Sequence, residues 1–461
     1  MSLDIRHLYR PSRAPSRLTS GQVRSSMRNS LFDGAAYSAM LGLTQNYVTP
    51  YALTMGATTR DIGLLTSVPN FTMAATQFVA PTLSDKAGSR KAFILPMALM
   101  HALMWLPILL IPYLFHTHQV WWLIILVTLS TAFDSALNPV WGSMMADLVP
   151  GKMRGRFFGL RNRITAFLSL AFAYAAGGIL QLLTGNTNQA FTIIFIGAIA
   201  SRLVSFYFLS RMYEPLSPAL EKKTHDSVFK IGRGLFSTNI GMFIMLCALM
   251  NFTTTIAGPF FSPYMLVDLH MSYITYTVIN SVAGLAVVGF MTWWGKRIDR
   301  AGSIKILTIT SLFVPFVAVG WAIYNTLWWL AIMQVFSGFA WAGFQLSSGV
   351  FIFDAAPVQN RTRYIALYNS LVFLGVSLGS LTGGLVAPLL PAFIGSYYRS
   401  VFLLSGIGRL AVGLFFFRRI REVRRVPRIE AGELLFSDFQ RPWRNRAYGY
   451  LASHLRRRKV D

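Results

Sequence analysis

The chain has 461 residues, of which 54% are hydrophobic and only 13% are charged. A soluble domain carries about 25% charged residues, so this composition, with a mean hydropathy of +0.49, excludes an ordinary soluble protein. The single cysteine, Cys247, excludes a disulfide framework and a cysteine-based metal cluster. Much of the surface must face lipid, and the chain is a membrane protein.

Twelve apolar runs are each long enough to cross a bilayer as a helix, which takes about 20 residues. Six of them precede a polar stretch at 211–237, and six follow it. The predicted fold is therefore an all-α membrane protein with 12 transmembrane helices. In chain order the spans are 31–55, 62–83, 92–115, 120–146, 158–184, 188–210, 238–263, 272–294, 304–325, 327–353, 365–390 and 395–417.

The net charge of +25 is concentrated on one side of the predicted membrane. All but four of the 42 Lys and Arg residues lie in the termini and in every second loop. By the positive-inside rule these segments are cytoplasmic, which predicts a multi-pass protein of the plasma (cytoplasmic) membrane with both termini inside. We attribute the basic charge to topology, with anionic lipid head groups as partners of the tails, and expect no nucleic-acid partner.

The charge pattern divides the chain into five segments. A basic cytoplasmic tail (1–30) and a basic C-terminal tail (418–461) enclose two six-helix bundles (31–210 and 238–417), which a cytoplasmic linker (211–237) joins. The first tail is rich in Arg and Ser, as a mitochondrial transit peptide also would be, and we favour an uncleaved tail. The second tail mixes Arg with apolar residues, which leaves open a segment on the membrane surface or a disordered one.

The two bundles repeat each other in sequence. Four matches occur in the same chain order at nearly one offset, which is the pattern of an internal duplication. The matched pairs are Asp85/Asp299, Asp147/Asp354, Pro50/Pro263 and Arg202/Arg409, at offsets of 214, 207, 213 and 207 residues.

The cytoplasmic loops carry the motifs by which the chain resembles a known family. Asp-Lys/Arg-x-Gly-x-x-Lys begins at Asp85 and again at Asp299, and Asp147 opens Asp-x-x-Pro-x-x-x-Arg-Gly-Arg-Phe-Phe-Gly. The organisation resembles the major facilitator superfamily over about 31–417, although Pro81 replaces the usual first glycine of the motif. The resemblance implies two pseudo-symmetric six-helix bundles that rock around a midplane cavity to carry a small-molecule substrate. We expect a functional monomer without cofactor or metal.

The same resemblance implies gating loops. In the family, the motif Asp and the basic residues latch the cytoplasmic side when the outside is open, and the glycines permit a tight turn. Helix capping together with the positive-inside charge is the alternative for each residue taken singly. The implied latches are Asp85, Gly88, Arg90, Asp147, Arg154 and Arg156 in the first half, and Asp299, Arg300, Gly302, Asp354, Arg361 and Arg363 in the second.

Spans one, four, seven and ten line the cavity in the family, and polar residues follow one another along all four. Asp134 and Asn138 lie one helical turn apart on the fourth span. The predicted substrate cavity is lined by Gln45, Asn46, Asp134, Asn138, Asn251, Thr255, Trp341 and Gln345.

Charged residues inside spans are costly and are functional candidates by default. Asp134 could bind a proton or a cationic substrate group, or it could serve as a structural hydrogen-bond partner. Asp33 lies at the predicted start of span one, where it is either an ordinary first-turn acid or a coupling residue. We expect Arg202 and Arg409 to be structural and to reach partway towards the cytoplasmic surface, and His101 to be a packing residue.

The sequence favours a secondary active transporter of a small organic solute that works by alternating access, with Asp134 as the candidate for proton coupling. The few cavity charges favour a neutral or cationic amphipathic substrate. The alternative is a transporter-like scaffold or assembly factor that binds a lipid, a pigment or a partner protein. The sequence lacks a nucleotide-binding glycine-rich loop and any catalytic constellation, so we expect neither ATP-driven transport nor an enzyme.

Overall fold

The computed structural model describes residues 19–150, 154–214, 238–357, 361–417, 419–424 and 426. The predicted N-terminal tail, the linker and the C-terminal tail therefore lie mostly outside the described residues. Within them, the regular secondary structure is helical, with one isolated bridge between Phe393 and Ser396.

Twelve long helices follow one another through the described ranges, one for each predicted span. Five of them begin or end three or more residues beyond the predicted limits, because polar residues at these ends continue the helical hydrogen bonding. They are α1 (Ser20–Thr44), α2 (Thr59–Lys86), α3 (Arg90–Leu114), α4 (Gln119–Leu148), α5 (Arg154–Leu182), α6 (Thr187–Ser210), α7 (Asn239–Ala257), α8 (Tyr273–Ala301), α9 (Ser303–Ile323), α10 (Leu327–Ala355), α11 (Arg361–Val386) and α12 (Tyr397–Phe416).

Ten helices of the described chain are long and apolar enough to cross a membrane. The two long helices outside that set, α1 and α2, carry more polar residues. Helix α1 begins at Ser20, well before the predicted span, because Thr19 and Gln22 form a reciprocal capping box. The Thr19 side chain accepts from the Gln22 amide at 3.3 Å, and the Gln22 side chain accepts from the Thr19 amide at 2.9 Å.

The chain folds as two compact units. The first comprises Met1–Ser227 and Ser262–Thr277, and the second comprises Val228–Phe261 and Val278–Asp461. In the first unit, α1 packs against α5 and α6, and α3 packs against α4 and α6. In the second, α7 packs against α11 and α12, and α9 packs against α10 and α12. The same four pairings recur six helices apart, so the packing follows the repeat in the sequence.

Each unit has its own apolar core. In the first, Phe93, Ile94 and Met144 are almost fully buried where α3 meets α4. In the second, Phe243 and Phe351 are fully buried, with ring centroids 4.6 Å apart. Many other large apolar side chains are exposed, including Phe167 and Trp328 at 70% and 82%, as expected of helices whose outer faces contact lipid.

Proline and glycine interrupt the helices at repeated positions. After α1, the chain continues as a short helix, Val48–Thr54, that contains Pro50. After α7, it continues through a 3₁₀ turn (Gly258–Phe260), a short α-helical turn that ends at Pro263 and a π-helical turn (Tyr264–Asp268). Proline has no amide hydrogen to donate to regular helical hydrogen bonding. Gly88 and Gly302 have φ values of +69° and +88°, the left-handed turn that the loop motif predicts.

Three glycines of α11 let it approach α7 at backbone distance. A Cβ atom on Gly375, Gly379 or Gly383 would run into a main-chain oxygen of α7. These glycines are spaced by four residues and so lie on one face of α11. Small residues at this spacing are the usual solution for close helix packing in a membrane, where van der Waals contact is the main attraction between helices.

We expect Gly379→Val to lower the melting temperature of the purified protein, because overpacking a tight contact costs about 1–3 kcal/mol. The matched control is Gly289→Val in α8, where an added Cβ meets nothing within 4 Å. Thermal unfolding of both variants in the same detergent checks this. Equal melting temperatures would contradict the close-packing role of Gly379.

Candidate functional site

Five titratable or charged side chains meet inside the first unit, each from a different helix. Asp33 belongs to α1, His101 to α3, Asp134 to α4, Arg161 to α5 and Arg202 to α6. Asp33, His101 and Arg202 are buried, and the other two are partly buried. Because a lone charge in such surroundings is costly, the partners of each group decide what the cluster can do.

Asp33 lies within α1 and not at the start of the helix, so its predicted position is wrong. Helix α1 begins at Ser20, so Asp33 lies 13 residues further along, about 20 Å at 1.5 Å per residue. The capped polar turns that precede the apolar run account for the difference. Asp33 is therefore not a first-turn acid and faces the interior of the first unit, where it is only 4% exposed.

Asp134 has polar groups around both carboxylate oxygens, although only Oδ2 accepts hydrogen bonds. Its Oδ2 accepts from the Tyr37 hydroxyl at 2.9 Å and lies 3.4 Å from the Asn138 amide nitrogen. Its Oδ1 lies 3.3 Å from His101 Nδ1 and 3.7 Å from Arg202 Nη2. The Asp134 side chain retains 21% exposure. The carboxylate is thus compensated on its buried side while one edge stays accessible.

Arg202 connects the two carboxylates. Its Nε donates to His101 Nδ1 at 3.1 Å, and its Nη1 donates to the Ser205 hydroxyl at 2.9 Å. That hydroxyl in turn donates to Asp33 Oδ1 at 2.7 Å. Since Arg202 also lies beside Asp134, a continuous chain of polar contacts runs from one carboxylate to the other.

Arg161 lies at the edge of the cluster. Its Nε donates to the Ser30 carbonyl at 3.3 Å, and its Nη2 lies 3.8 Å from Asp33 Oδ2. The guanidinium stacks on Trp141, 4.4 Å from the ring centroid, a favourable cation–π geometry. Gly34 provides the room, because a Cβ there would lie 2.8 Å from the guanidinium carbon.

A cavity of about 210 Å³ opens onto this cluster, and every residue that lines it belongs to the first unit. Its polar wall includes both carboxylates and both guanidiniums of the cluster. Leu41, Leu137 and Leu209 form an apolar wall, and the rings of Tyr37 and Trp141 complete it. Charged groups beside apolar ones are what a pocket for a small polar molecule with an apolar body needs.

The structure brings some of the predicted cavity residues together. Asp134 and Asn138 line this cavity, as does the coupling candidate Asp33. Gln45 and Asn46 follow the end of α1 and are not among its lining residues; the Asn46 carbonyl instead accepts from the Tyr276 hydroxyl at 2.8 Å.

The other predicted cavity residues lie in the second unit. Asn251 donates to the Cys247 carbonyl at 2.8 Å, and Thr255 donates to the Asn251 and Val376 carbonyls. Such bonds to the helix backbone satisfy a polar side chain within the protein. Trp341 packs against the apolar core, and Gln345 is exposed.

Sequence reasoning did not single out Tyr37 or Arg161 for the site, and it assigned structural roles to His101 and Arg202. Arg161 was counted among the topology-determining basic residues. For Arg202, the place within an apolar span indicates that the charge needs a partner, but it does not identify that partner. Arg202 is only 2% exposed and points to His101 and Ser205, so it does not snorkel.

Arg409, the repeat partner of Arg202, has a different environment. It is also 2% exposed, yet it donates to the Ser405 hydroxyl at 3.0 Å and to the Val314 and Thr254 carbonyls at 3.3 Å. Among the residues that the structure describes, no carboxylate contacts it. Of the two repeat-related arginines, only Arg202 therefore lies beside a carboxylate in the described structure.

The loop motifs form ion pairs within each unit. Arg90 Nη1 lies 2.7 Å from Asp147 Oδ2, and Arg424 Nε lies 2.6 Å from Asp354 Oδ2. Asp299 and Arg300 are exposed. Five predicted latch side chains lie outside the described part of the structure, and these are Asp85, Arg154, Arg156, Arg361 and Arg363.

Two acidic residues that sequence reasoning passed over cap helices at equivalent places. Glu214 accepts from the Arg90 amide at 2.7 Å, at the start of α3, and Glu422 accepts from the Ile304 amide at 2.9 Å, at the start of α9. A carboxylate at a helix N-terminus satisfies free amides and opposes the helix dipole. In each six-helix half, an acidic residue that follows the sixth helix thus caps the third helix.

No group of three or more His, Cys, Asp or Glu side chains within the described ranges could hold a metal ion. The helices, the repeat and the internal cavity define a multi-pass membrane transporter. The family model of the Major Facilitator Superfamily matches residues 31–375 and 242–460. The chain belongs to this superfamily, as its loop motifs indicated.

Several solved structures share the fold. A point mutant of the nucleoside transporter NupG is 13% identical and has a TM-score of 0.67, with 87% of this chain and 100% of that one covered. A D-xylose-proton symporter is 14% identical at a TM-score of 0.67, covering 87% and 98%. A bacterial homologue of the human lysosomal transporter Spinster, inward-facing and occupied, is 14% identical at 0.64, covering 87% and 97%. No curated protein matches the chain in sequence.

We expect Arg202→Gln to destabilise the protein more than Arg409→Gln. The first change leaves Asp134 and Asp33 without their shared cation, and breaking a buried ion pair costs about 3–5 kcal/mol. The second removes a cation that has no carboxylate contact in the described structure. Thermal unfolding of the two variants in detergent checks the order, and a larger loss for Arg409→Gln would contradict it.

Proposed function

We propose that the chain is a proton-coupled secondary transporter of a small organic solute, working by alternating access, and that Asp134 and its neighbours bind the coupled proton. The observation that carries this proposal is the position of His101 Nδ1 between a donor and an acceptor. It receives a hydrogen bond from Arg202 Nε at 3.1 Å and lies 3.3 Å from Asp134 Oδ1.

One nitrogen cannot serve both neighbours in the same protonation state. Without a proton, Nδ1 accepts from Arg202. It then has no hydrogen to donate to Asp134, and its lone pair repels the carboxylate unless that carboxyl group is itself protonated. With a proton, Nδ1 donates to Asp134 and no longer accepts from Arg202. The site therefore supports two arrangements that differ by one proton and by the partner of Arg202.

The second carboxylate would respond to the same proton. Arg202 Nη1 donates to the Ser205 hydroxyl, and that hydroxyl donates to Asp33. A shift of Arg202 towards or away from Asp134 would therefore move this hydroxyl and change the distance from Asp33 to Arg161. Proton coupling needs such a link between a titrating group and the groups that line the substrate cavity.

The cavity itself supports transport over the scaffold alternative. A lipid or a pigment offers few acceptors to the terminal nitrogens of Arg161 and the indole N–H of Trp141, which make no hydrogen bond in the described structure. A polar solute could pair with them. These groups therefore favour a small polar substrate over the scaffold role.

We propose that the Arg90–Asp147 and Arg424–Asp354 pairs act as latches, each within its own unit. Both join a loop motif to a neighbouring segment, and both are partly exposed. Partly exposed pairs contribute little to stability, so their value would lie in favouring one conformation of the unit over another.

The location follows from the positive-inside charge pattern. We propose a plasma-membrane protein with cytoplasmic termini whose basic tails contact anionic lipids, and a monomer as the functional unit. Most of both tails lies outside the described residues.

We expect Asp134→Asn to abolish compound-dependent proton flux while the protein still folds. The change keeps the shape of the side chain and removes its charge and its proton site. The measurement uses proteoliposomes with a trapped pH dye and a library of metabolites and drugs. The control is Asp61→Asn, a capping acid at the start of α2; flux that persists in Asp134→Asn would contradict the assignment.

We expect Asp147→Asn to slow transport several-fold while changing stability by less than about 1 kcal/mol, because the Arg90–Asp147 pair is partly exposed. Transport is measured in the same vesicles, and stability by thermal unfolding. Unchanged transport, or a loss of transport that merely follows unfolding, would remove the latch role.

A further inference from the structure

The guanidinium of Arg161 is the cation of the cluster whose unfilled donors can meet a ligand, since its side chain is 14% exposed and that of Arg202 is 2% exposed. Arg202 is enclosed by His101, Ser205 and Asp134, and its unpartnered nitrogen, Nη2, is buried 3.7 Å from Asp134 Oδ1. Arg161 makes one hydrogen bond, from Nε to the Ser30 carbonyl, and its Nη2 lies 3.8 Å from the Asp33 carboxylate. That distance exceeds a hydrogen bond. Within the described structure, both terminal nitrogens of Arg161 therefore lack an acceptor beside the cavity.

A second unpartnered donor lies beside this guanidinium. The Trp141 Nε1 atom is buried and has no hydrogen-bond partner in the described structure. Its ring also fixes the plane of Arg161, which stacks on it at 4.4 Å. Both residues line the cavity. Unpaired donors inside a protein are uncommon. The terminal nitrogens of Arg161 beside the N–H of Trp141 at a cavity wall therefore indicate a ligand that accepts hydrogen bonds.

We propose that the transported substrate carries a carboxylate group, which binds the terminal nitrogens of Arg161 beside the indole N–H of Trp141. The planar fork of a guanidinium matches a carboxylate with two parallel hydrogen bonds. This inference rests on the proposed function, because it assigns the substrate class of the same cavity.

The rest of the cavity sets the size and the body of this organic acid. Leu41, Leu137 and Leu209 offer apolar contact. The volume of about 210 Å³ is below the roughly 300–1,000 Å³ of pockets for drug-sized ligands. A small monocarboxylate with an aliphatic or aromatic body fits these limits.

A cationic group fits the cavity less well. The only carboxylate with appreciable exposure among those lining the cavity, Asp134, already has Tyr37, Asn138, His101 and Arg202 around its two oxygens. A substrate cation would have to displace Tyr37 or Asn138 from Oδ2, because Oδ1, which makes no hydrogen bond, is buried between His101 and Arg202. It would also lie near two guanidiniums, and like charges repel strongly where water is scarce.

The charge balance links the anion to the proton. With His101 neutral, the two carboxylates and two guanidiniums of the cluster cancel. One proton bound by Asp134, His101 or Asp33 leaves a net charge of +1, which a carboxylate offsets. Proton and anion would therefore bind together and cross the membrane in the same direction.

The test measures equilibrium binding to the purified full-length protein in detergent, with no proton gradient. Isothermal titration compares three acids with their own primary amides: hexanoate with hexanamide, benzoate with benzamide, and phenylacetate with phenylacetamide. We expect at least one acid to bind, and to bind about tenfold or more tightly than its amide, because its charge strengthens both hydrogen bonds.

Variants then locate the carboxylate. We expect Arg161→Gln to weaken acid binding by about tenfold or more, and Arg161→Lys to weaken it less, since lysine keeps the charge and loses the fork. Gly34→Ala should also weaken it, because the new Cβ displaces the guanidinium without removing charge. The matched control is Arg163→Gln, an exposed arginine of the same helix, which should keep the wild-type affinity.

Three results would overturn the proposal: equal affinity for acid and amide, full acid affinity in a folded Arg161→Gln protein, or no binding of any of the acids at millimolar concentration. Melting temperatures verify that each variant is folded. Acid binding needs no flux, so it would survive a failure of the proton-coupling proposal. Loss of proton coupling in Asp134→Asn would equally stand if no acid bound.

Discussion

The buried pairing of Asp134 with His101 and Arg202 is the constraint around which the first unit is organised. Removing charged groups from water is expensive, and only partners at short range offset the cost. Asp134 therefore has to keep α3 and α6 beside α4, and Ser205 extends the same requirement to Asp33 on α1. The packing of α1 and α3 against α6 serves both the apolar core and this network. A substitution of one of these charged residues therefore affects the packing of several helices.

The two units differ in how they surround the arginine of their last helix. Both units use the same helix pairings and place an arginine at the same point of their last helix. Arg202 is compensated by side chains that can gain or lose protons, whereas Arg409 is held by a hydroxyl and by main-chain carbonyls, which cannot. A group held by carbonyls keeps its surroundings at every physiological pH. The duplication therefore supplied one framework twice, and proton-sensitive chemistry is associated with the first copy.

Much of the fold could be predicted because it depends on local or repeated features. Apolar runs located the twelve helices, and the loop glycines marked the tight turns. The ends of α1 and α7 were missed, because the apolar runs continue past Thr44 and Ala257. The start of α1 was missed because a capping box, and not apolar character, begins that helix at Ser20. The site was harder. Charge counts treat Arg161 like any other basic residue, and the place of Arg202 within an apolar span does not show which carboxylate from a distant part of the chain it meets. Asp134 could be singled out because its charge lies alone in an apolar run, but its partners depend on tertiary packing.

The substrate preference changes for the same reason. A neutral or cationic compound was the natural expectation while Asp134 was the only charge known to lie in the cavity. Arg161 and Arg202 line the same cavity, so the substrate class depends on which charged group still has an unused hydrogen-bonding position for a ligand. Asp134 accepts from Tyr37 and Asn138 at Oδ2, and its unpartnered Oδ1 is buried, whereas Arg161 has donors without acceptors at the cavity and a ring that fixes its plane. In a buried ionic cluster, the group that recognises a ligand is the one whose incomplete bonding faces the cavity. By that criterion the guanidinium of Arg161, and not the carboxylate that first drew attention, is the part of the cavity that selects the substrate.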